Sequence, residues 1–399
     1  MLMQVSSESS EVEERPAAWG AVFAMSLCVF VLIASEFMPA SLLTPIATDL
    51  TMTEGQAGQA ISVSGIFAVL TSLFISSLTG RLDRKVVLMS MTGLMIASGV
   101  IVSFAPNYAV MMIGRALLGV VIGGFWSMAT ATVMRLVPEA SVPKALAILN
   151  GGNALAATIA APLGSFLGAY IGWRGAFFSV VPLAALALCW KWLSLPSMRS
   201  ERQGGAGAVF RLLGRPKVAV GMAAILLLFM GQYGLFTYVR PFLETVTGVD
   251  VSMLSLILLA IGVTGLIGTM LVGSALNRSL YGVVIAIPLL LAGIAVALMA
   301  WGGWVAGAAL LLAAWGFIAT PASVGWFTWL SRTLPEDAEA GGGLQIATIQ
   351  LAITLGATGG GFLYDMDGYK ATFSASAAVL LAAALLAFLA SRIGRSQAS

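Results

Sequence analysis

Glu36 stands near the middle of a long apolar stretch, and this position is the strongest chemical signal in the sequence. No charged residue occurs from residue 17 to 35, and the next one after Glu36 is Asp49. A carboxylate inside an apolar helix costs free energy unless it is protonated, paired or hydrated. We therefore predict that Glu36 binds and releases a proton. The alternative is a structural hydrogen bond.

Arg115 is the second charge predicted to lie inside an apolar segment. Glu36 lies about ten residues from the outer end of the first predicted helix, and Arg115 lies about six residues from the outer end of the fourth. A helix rises about 1.5 Å per residue, so these counts give the depth of each residue in the membrane. Their similar depth predicts that the two side chains pair, or that both line one polar space open to the outside. The alternative for Arg115 is an extended side chain that reaches the outer surface.

Amide and aromatic side chains in other apolar segments form the predicted substrate site. They can stack on a flat, neutral ligand and hydrogen-bond its edge. The alternative is that each only binds neighbouring helices together. The predicted substrate-binding residues are Trp126, Asn150, Asn153, Gln232, Tyr233, Tyr238 and Gln350.

Two short motifs are predicted to act in gating. In GRLDRK (80–85), Asp83 and Arg84 could form a latch if Asp83 faces a helix N-terminus, where a negative charge is favoured by roughly 0.3–1 kcal/mol. The alternative is a solvated turn. In APLGSFLG (161–168), Pro162 and Gly164 can bend a helix and allow close helix contact, although packing alone would also explain them.

The composition shows which elements must position these residues. Hydrophobic residues make up 59% of the 399 and charged residues only 9%, whereas soluble domains carry about 25% charged residues. A membrane-spanning helix needs about 20 apolar residues. Apolar runs predict twelve spans, at 18–46, 56–79, 86–104, 109–134, 143–170, 174–193, 217–240, 252–276, 281–300, 304–330, 342–364 and 371–391. The predicted fold class is therefore an all-α integral membrane protein.

The distribution of basic residues predicts the orientation. The sequence has 20 Lys and Arg residues. If residue 1 is cytoplasmic, three of them lie on the outer side of the membrane (Arg174, Arg240 and Lys370), Arg115 lies within a span, and the rest lie on the cytoplasmic side. This bias predicts that both termini are cytoplasmic. The predicted organisation is a tail (1–16), a six-helix bundle (17–193), a Gly-rich linker (194–216), a second six-helix bundle (217–392) and a tail (393–399).

The two bundles share an internal repeat. GSFLGAYIGWRGAF (164–177) aligns with GGFLYDMDGYKATF (360–373), and RLVPEA (135–140) with RTLPED (332–337). Because each half holds six spans, the repeat is parallel, an arrangement found in transporters whose site lies between the halves.

Other classes of membrane protein fit the sequence poorly. There is no histidine, and Cys28 and Cys189 both fall in apolar runs. A membrane-embedded enzyme would need a cluster of nucleophile, acid–base or metal-binding residues, and a channel would need a filter sequence. We therefore predict a transporter that is not an enzyme and needs no metal or cofactor, with transport driven by the proton gradient.

These motifs resemble the major facilitator superfamily, in particular its twelve-helix drug:proton antiporters. The resemblance covers residues 18–392 and depends on EFMPASLLTPIATDL, GRLDRK, GRALLGVVIGG (114–124) and APLGSFLG. It implies that Arg115 assists proton transfer and that APLG belongs to the antiporter motif. The loop departs from the family pattern, because Gly80 is one residue too close to Asp83 and the second glycine is absent.

Longer stretches in both halves, such as GGFWSMATATVMRLVP and IQLAITLGA, resemble the bacterial purine ribonucleoside efflux pumps. The resemblance implies export of a purine ribonucleoside, such as inosine or guanosine, by a multi-pass protein of the bacterial inner membrane. Relatives of this type also export sugars such as arabinose or drugs such as chloramphenicol, so these substrates stay open. The expected partners are the solute, protons and the lipid bilayer, without nucleic acid, and we expect a monomer.

Overall fold

The computed structural model describes residues 17–79, 82–198, 211–334 and 337–396. The predicted tail 1–16 and most of the predicted linker lie outside these residues. The described part of the chain is built from helices, with no strand among its residues. The α-helices are α1 (Trp19–Ser41), α2 (Leu43–Asp49), α3 (Glu54–Thr79), α4 (Arg84–Ser103), α5 (Tyr108–Leu136), α6 (Val142–Ser194), α7 (Pro216–Phe236), α8 (Val239–Phe242), α9 (Val251–Arg278), α10 (Leu280–Trp301), α11 (Val305–Ala319), α12 (Ala322–Thr333) and α13 (Ala338–Ser396).

Two of these helices are long enough to cross a membrane twice. The backbone of α6 breaks at Gly172 (φ 71°, ψ 164°), and that of α13 breaks at Asp367 and Gly368, where φ is 68° at the glycine. Glycine adopts positive φ without the steric cost of a Cβ. Gly172 and Gly368 occupy equivalent positions of the aligned repeat segments. With α11 and α12 counted as one interrupted span, the prediction of twelve transmembrane helices is confirmed.

Polar side chains define where several helices begin. Asp83, Asn107 and Asp250 each accept a hydrogen bond from a backbone N–H in the first turn of α4, α5 and α9, respectively. Such caps satisfy N–H groups that have no partner within the helix. Pro39 lies in the last turn of α1, which ends at Ser41 before the short α2 begins.

The apolar side chains form two large buried clusters. One is built almost entirely from residues 21–198 and includes only Tyr238 from the second half, and the other is built from residues 212–387 together with Ala161. A third, small cluster of Ala40, Ile61, Ile353 and Ala357 joins the two halves.

The two halves contact each other toward one end of the bundle. We call the end that holds residues 49–53, 104–107, 247–251 and 301–305 the distal end, and the end that holds Trp19 and Arg278 the terminal end. Between described residues, the hydrogen bonds that join the halves begin at Glu36 and continue to the distal end. The structure is therefore closed at the distal end.

Candidate functional site

Glu36 lies where the two halves meet, and a residue of the opposite half binds its carboxylate. The side chain is buried, with 4% of its surface exposed. The amide Nε2 of Gln350, in α13, donates a hydrogen bond of 3.2 Å to Oε1 of Glu36, in α1. The one carboxylate predicted inside the first span thus joins the two bundles directly.

Arg115 lies behind Glu36 and is bound by backbone carbonyl groups. Its guanidinium donates to the carbonyl oxygens of Ser35 (2.7 Å), Glu36 (3.1 Å) and Ala60 (2.8 Å). The residue four positions after Ser35 is Pro39, which has no N–H, so the Ser35 carbonyl has no helical partner. Arg115 supplies the missing donor.

The relation between Arg115 and Glu36 differs from a direct ion pair. Arg115 is only 1% exposed, so its side chain does not reach the surface. Its hydrogen bonds hold the positive charge against the backbone of α1 and α3, close to Glu36 but without a hydrogen bond to its carboxylate. The carboxylate therefore stays available to Gln350.

Besides the Gln350 amide of α13, the aromatic ring of Tyr233 in α7 interacts with this carboxylate. The rings of Phe37 and Tyr233 stack, with centroids 5.7 Å apart and planes inclined by 12°. The side-chain oxygens of Gln232 and Gln350 are buried without a hydrogen-bond partner in the described part of the chain. Buried acceptors that have no partner, one of them on the residue that binds Glu36, fit a ligand that offers hydrogen-bond donors. The sequence reasoning missed Phe37, although it directly follows Glu36.

The other predicted substrate residues make their described contacts with groups other than Glu36. Tyr238 belongs to the distal closure: its hydroxyl donates to the Ala357 carbonyl at 2.8 Å, and its ring stacks on Tyr364. Asn150 is exposed and donates to a carbonyl of its own helix. Asn153 is half-buried in the same helix, and Trp126 is half-buried with its ring edge against Phe125. No described contact links these four residues to Glu36.

The distal closure contains two polar contacts that sequence reasoning missed. Asp365 accepts hydrogen bonds from the Thr53 hydroxyl (2.6 Å) and the Gly55 N–H (3.0 Å), and so caps a helix of the opposite half. Arg240 pairs with Glu244 at 2.8 Å and also donates to the Ser41 carbonyl. The hydrogen bonds of Asp365 and the bond from Arg240 to Ser41 cross between the halves, so they must break for this end to open.

Asp83 and Arg84 lie at the terminal end and contact the segment after α6. The carboxylate of Asp83 accepts hydrogen bonds from the Ser197 hydroxyl, the Met198 N–H (3.2 Å) and the Lys85 N–H (2.7 Å). Burial alone would raise the pKa of Asp83, but these hydrogen bonds together hold that pKa below its usual value. Arg84 is buried, and its N–H donates to the Met198 carbonyl. These contacts all lie within the first half.

Pro162 and Gly164 are buried in α6. A Cβ placed on Gly164 would approach the Ser41 hydroxyl to 2.6 Å, so the glycine permits close contact with α1. Pro162 lies in the α6 segment that meets α9 of the other half, between the contacts made by Thr158 and Ser165.

Lys191 is a buried cation to which the sequence reasoning gave no role beyond topology. It is 0% exposed, and its ammonium donates to the Leu88 carbonyl, the Thr92 hydroxyl and the Cys28 sulfur. The Phe125 ring lies 5.4 Å from the ammonium. Lys191 therefore joins four helices of the first bundle. Among the described residues, no group of three or more His, Cys, Asp or Glu side chains could hold a metal ion.

Comparison with known proteins gives the fold and the family. The family model of the Major Facilitator Superfamily matches residues 25–344. A bacterial homologue of the human lysosomal transporter Spinster, solved in an inward-facing and unoccupied conformation, superposes with a TM-score of 0.72, with 17% identity, over 95% of this chain and 98% of that one.

Two curated relatives are more similar in sequence. The Pseudomonas aeruginosa protein named Transcription regulatory protein OpdE is 57% identical over 388 residues, which cover 96% of each chain. The purine ribonucleoside efflux pump NepI of Salmonella typhimurium is 42% identical over 368 residues, covering 92% of this chain and 93% of the pump. The chain belongs to the Major Facilitator Superfamily and is a multi-pass membrane transporter.

Proposed function

We propose that this member of the Major Facilitator Superfamily is a proton-coupled antiporter of the bacterial inner membrane. It exports a small, neutral, polar solute, and the solute that fits best is a purine ribonucleoside such as inosine or guanosine. The observation that carries the proposal is the buried Glu36, which is hydrogen-bonded by Gln350 across the two halves. A group that can lose or gain a charge at this position can bias which end of the bundle is open.

The cost of burial gives the direction of the cycle. A protonated Glu36 is neutral and cheaper to keep in an apolar interior than a carboxylate. The distribution of Lys and Arg predicts that the terminal end faces the cytoplasm, so in the proposed cycle this conformation, closed at the distal end, is the inward-facing one. Glu36 would release its proton there, bind solute, and take up another proton once the distal end has opened.

The chemistry around Glu36 supports the solute class. The unpartnered side-chain oxygens of Gln232 and Gln350 call for hydrogen-bond donors, which ribose hydroxyls and purine N–H groups provide. The stacked rings of Phe37 and Tyr233 offer a flat surface next to them. Relatives 42% identical to this chain are named purine ribonucleoside efflux pumps, which agrees with this choice.

Two further solute classes use the same mechanism and stay as alternatives. Sugars such as arabinose offer hydroxyl groups without a ring that stacks well, and drugs such as chloramphenicol offer a ring with fewer donors. A transporter selective for nucleosides needs both features. The variants Asn153→Ala and Gln350→Ala test the two predicted solute contacts by their effect on apparent solute affinity; Gln350 is hydrogen-bonded to Glu36, and Asn153 has no described contact with it.

The experiment uses inside-out membrane vesicles with an imposed pH gradient in which the vesicle lumen is acidic. Labelled inosine, guanosine, arabinose and chloramphenicol are each offered to vesicles with the wild-type protein, with Glu36→Gln or with Glu36→Asp. We expect uphill accumulation of the two nucleosides by wild type, none by Glu36→Gln, and partial activity with a shifted pH optimum for Glu36→Asp. Proton-driven accumulation by Glu36→Gln would refute the coupling role, and accumulation of arabinose or chloramphenicol alone would refute the nucleoside assignment.

A further inference from the structure

We infer that Gln350 prevents proton leak: it holds the empty, unprotonated carrier closed at the distal end until a solute displaces its amide from Glu36. The inference rests on the proposed function. Gln350 contributes the hydrogen bond from the second half to the Glu36 carboxylate, with 3.2 Å between Nε2 and Oε1. Because this bond joins α13 to α1, it must break before the halves can rearrange.

Tight coupling in an antiporter requires such a restraint. The carrier changes conformation productively when it is protonated or when it is loaded with solute. If it also changed conformation when empty and unprotonated, each cycle would move a proton inward without exporting anything. A contact that is strongest in that empty, unprotonated state suppresses the wasteful step, since it stabilises one conformation of the two-state equilibrium.

The charge on Glu36 gives the contact this dependence. A hydrogen bond to a carboxylate is roughly twice as strong as one between neutral groups. In the part of the chain that the structure describes, Arg115 and Tyr233 are the titratable groups that interact electrostatically with Glu36. The Arg115 guanidinium is already hydrogen-bonded to three carbonyl oxygens. Gln350 is thus the donor that responds when Glu36 loses its proton, and protonation of Glu36 weakens the contact.

The second atom of the Gln350 amide indicates how a solute releases it. Oε1 of Gln350 is buried without a hydrogen-bond partner in the described residues. A solute with two neighbouring donors can give one hydrogen bond to the Glu36 carboxylate and the other to this oxygen. The direct hydrogen bond from the Gln350 amide to the Glu36 carboxylate is then replaced by hydrogen bonds to the solute. A vicinal diol, as in ribose, has two such donors, and a solute that lacks neighbouring donors would leave the restraint in place.

Ser62 provides a matched control, because it joins the halves without involving a carboxylate. Its hydroxyl donates to the Thr354 carbonyl at 3.3 Å and lies 2.8 Å from the Thr358 hydroxyl. Substitution of Ser62 by alanine removes a hydrogen bond between neutral groups from the same interface. If the charge on Glu36 matters, the proton leak must therefore rise more when Gln350 is substituted than when Ser62 is.

The test uses proteoliposomes of the full chain with an imposed pH gradient and no solute, in which proton entry is followed with a trapped pH dye. We expect the leak to rise about tenfold for Gln350→Leu and for Gln350→Met, about twofold for Ser62→Ala, and not at all for Glu36→Gln/Gln350→Leu. Inosine should stimulate proton movement in wild type, and 2′-deoxyinosine, which lacks the diol, should do so at least fivefold less well.

The outcomes separate this inference from the proposed function. Equal leak for the Gln350 variants and Ser62→Ala would overturn the inference, as would equal stimulation by inosine and 2′-deoxyinosine, even if Glu36→Gln abolished coupling. Uphill transport by Glu36→Gln would instead overturn the proposed function. The size-exclusion profile and the thermal unfolding temperature of each purified variant verify that it is folded. If both Gln350 variants fail this check, the comparison of inosine with 2′-deoxyinosine on wild type decides.

Discussion

Removal of the Asp365 carboxylate should shift the protein toward the conformation that is open at the distal end. Asp365 belongs to the second half but caps α3 of the first half through the Thr53 hydroxyl and the Gly55 N–H. Both contacts exist only while the halves touch. Asp365→Ala therefore destabilises one conformation and leaves the other unchanged.

The size of this shift follows from the geometry. Replacement of an N-cap carboxylate by alanine typically costs about 1 kcal/mol. Asp365 is exposed, so we keep this central value and add nothing for its charge. At about 0.59 kcal/mol for RT, this corresponds to a roughly fivefold change in the ratio of the two conformations.

Ser62 provides the site for the assay, since it is 1% exposed and lies between the halves. With Cys28 and Cys189 replaced by serine, a cysteine at position 62 should react with a membrane-impermeant maleimide only when the distal end opens. We expect Asp365→Ala to raise the labelling rate about fivefold. Asp250→Ala is the matched control, because Asp250 caps α9 within one half. An unchanged rate for Asp365→Ala, or an equal rise for Asp250→Ala, would refute this reasoning.

Three further predictions concern other contacts. Gly262→Ala should also raise labelling at position 62, because the new Cβ would lie 2.2 Å from the Thr158 carbonyl oxygen of the opposite half; an unchanged rate would contradict this. Lys191→Ala should lower the free energy of unfolding of the detergent-solubilised protein by about 3 kcal/mol, since it leaves buried polar groups without a partner and a void. Lys191→Met fills the void and should lower it by less; an equal loss for the two variants would show that the void does not matter. Asp83→Asn should slow turnover more than it weakens solute binding, and wild-type turnover would contradict this. The pKa of Asp83 is held below its usual value, so the hydrogen bonds to its carboxylate are fully present at neutral pH. They are lost only as the pH falls through that lowered pKa. The difference in stability between wild type and Asp83→Asn should therefore shrink only in acid.

The sequence predicts the twelve spans well because lipid imposes a simple rule on composition and length. It also identifies Glu36, since a carboxylate in an apolar run is conspicuous. The repeat is equally visible, and it aligns the two glycines at which α6 and α13 break. These are properties of single segments or of segments compared with each other, and they require no knowledge of which helices touch.

The contacts between segments could not be predicted in this way. Similar depth predicts a direct pair of Glu36 and Arg115 or a shared polar space. Depth does not determine direction around a helix, and Arg115 is hydrogen-bonded by carbonyl groups. Arg240 was assigned to the outer side by counting charges, yet it is buried against the other half. Lys191 was counted as an inner basic residue and is enclosed by four helices. A charge count cannot distinguish an interfacial cation from a buried one.

The attachment of Arg115 to backbone carbonyls has an electrical consequence. Its positive charge stays with the first bundle, so in the proposed cycle a proton on Glu36 adds one net charge there without a compensating counter-ion. Exchange of one proton for a neutral solute would then carry one elementary charge inward in each cycle. A membrane potential of 100 mV supplies roughly 2.3 kcal/mol per charge, which corresponds to about a fiftyfold concentration ratio at 1.4 kcal/mol per factor of ten. Under the proposed coupling to one proton, voltage alone would therefore sustain export when the pH is equal on both sides of the membrane.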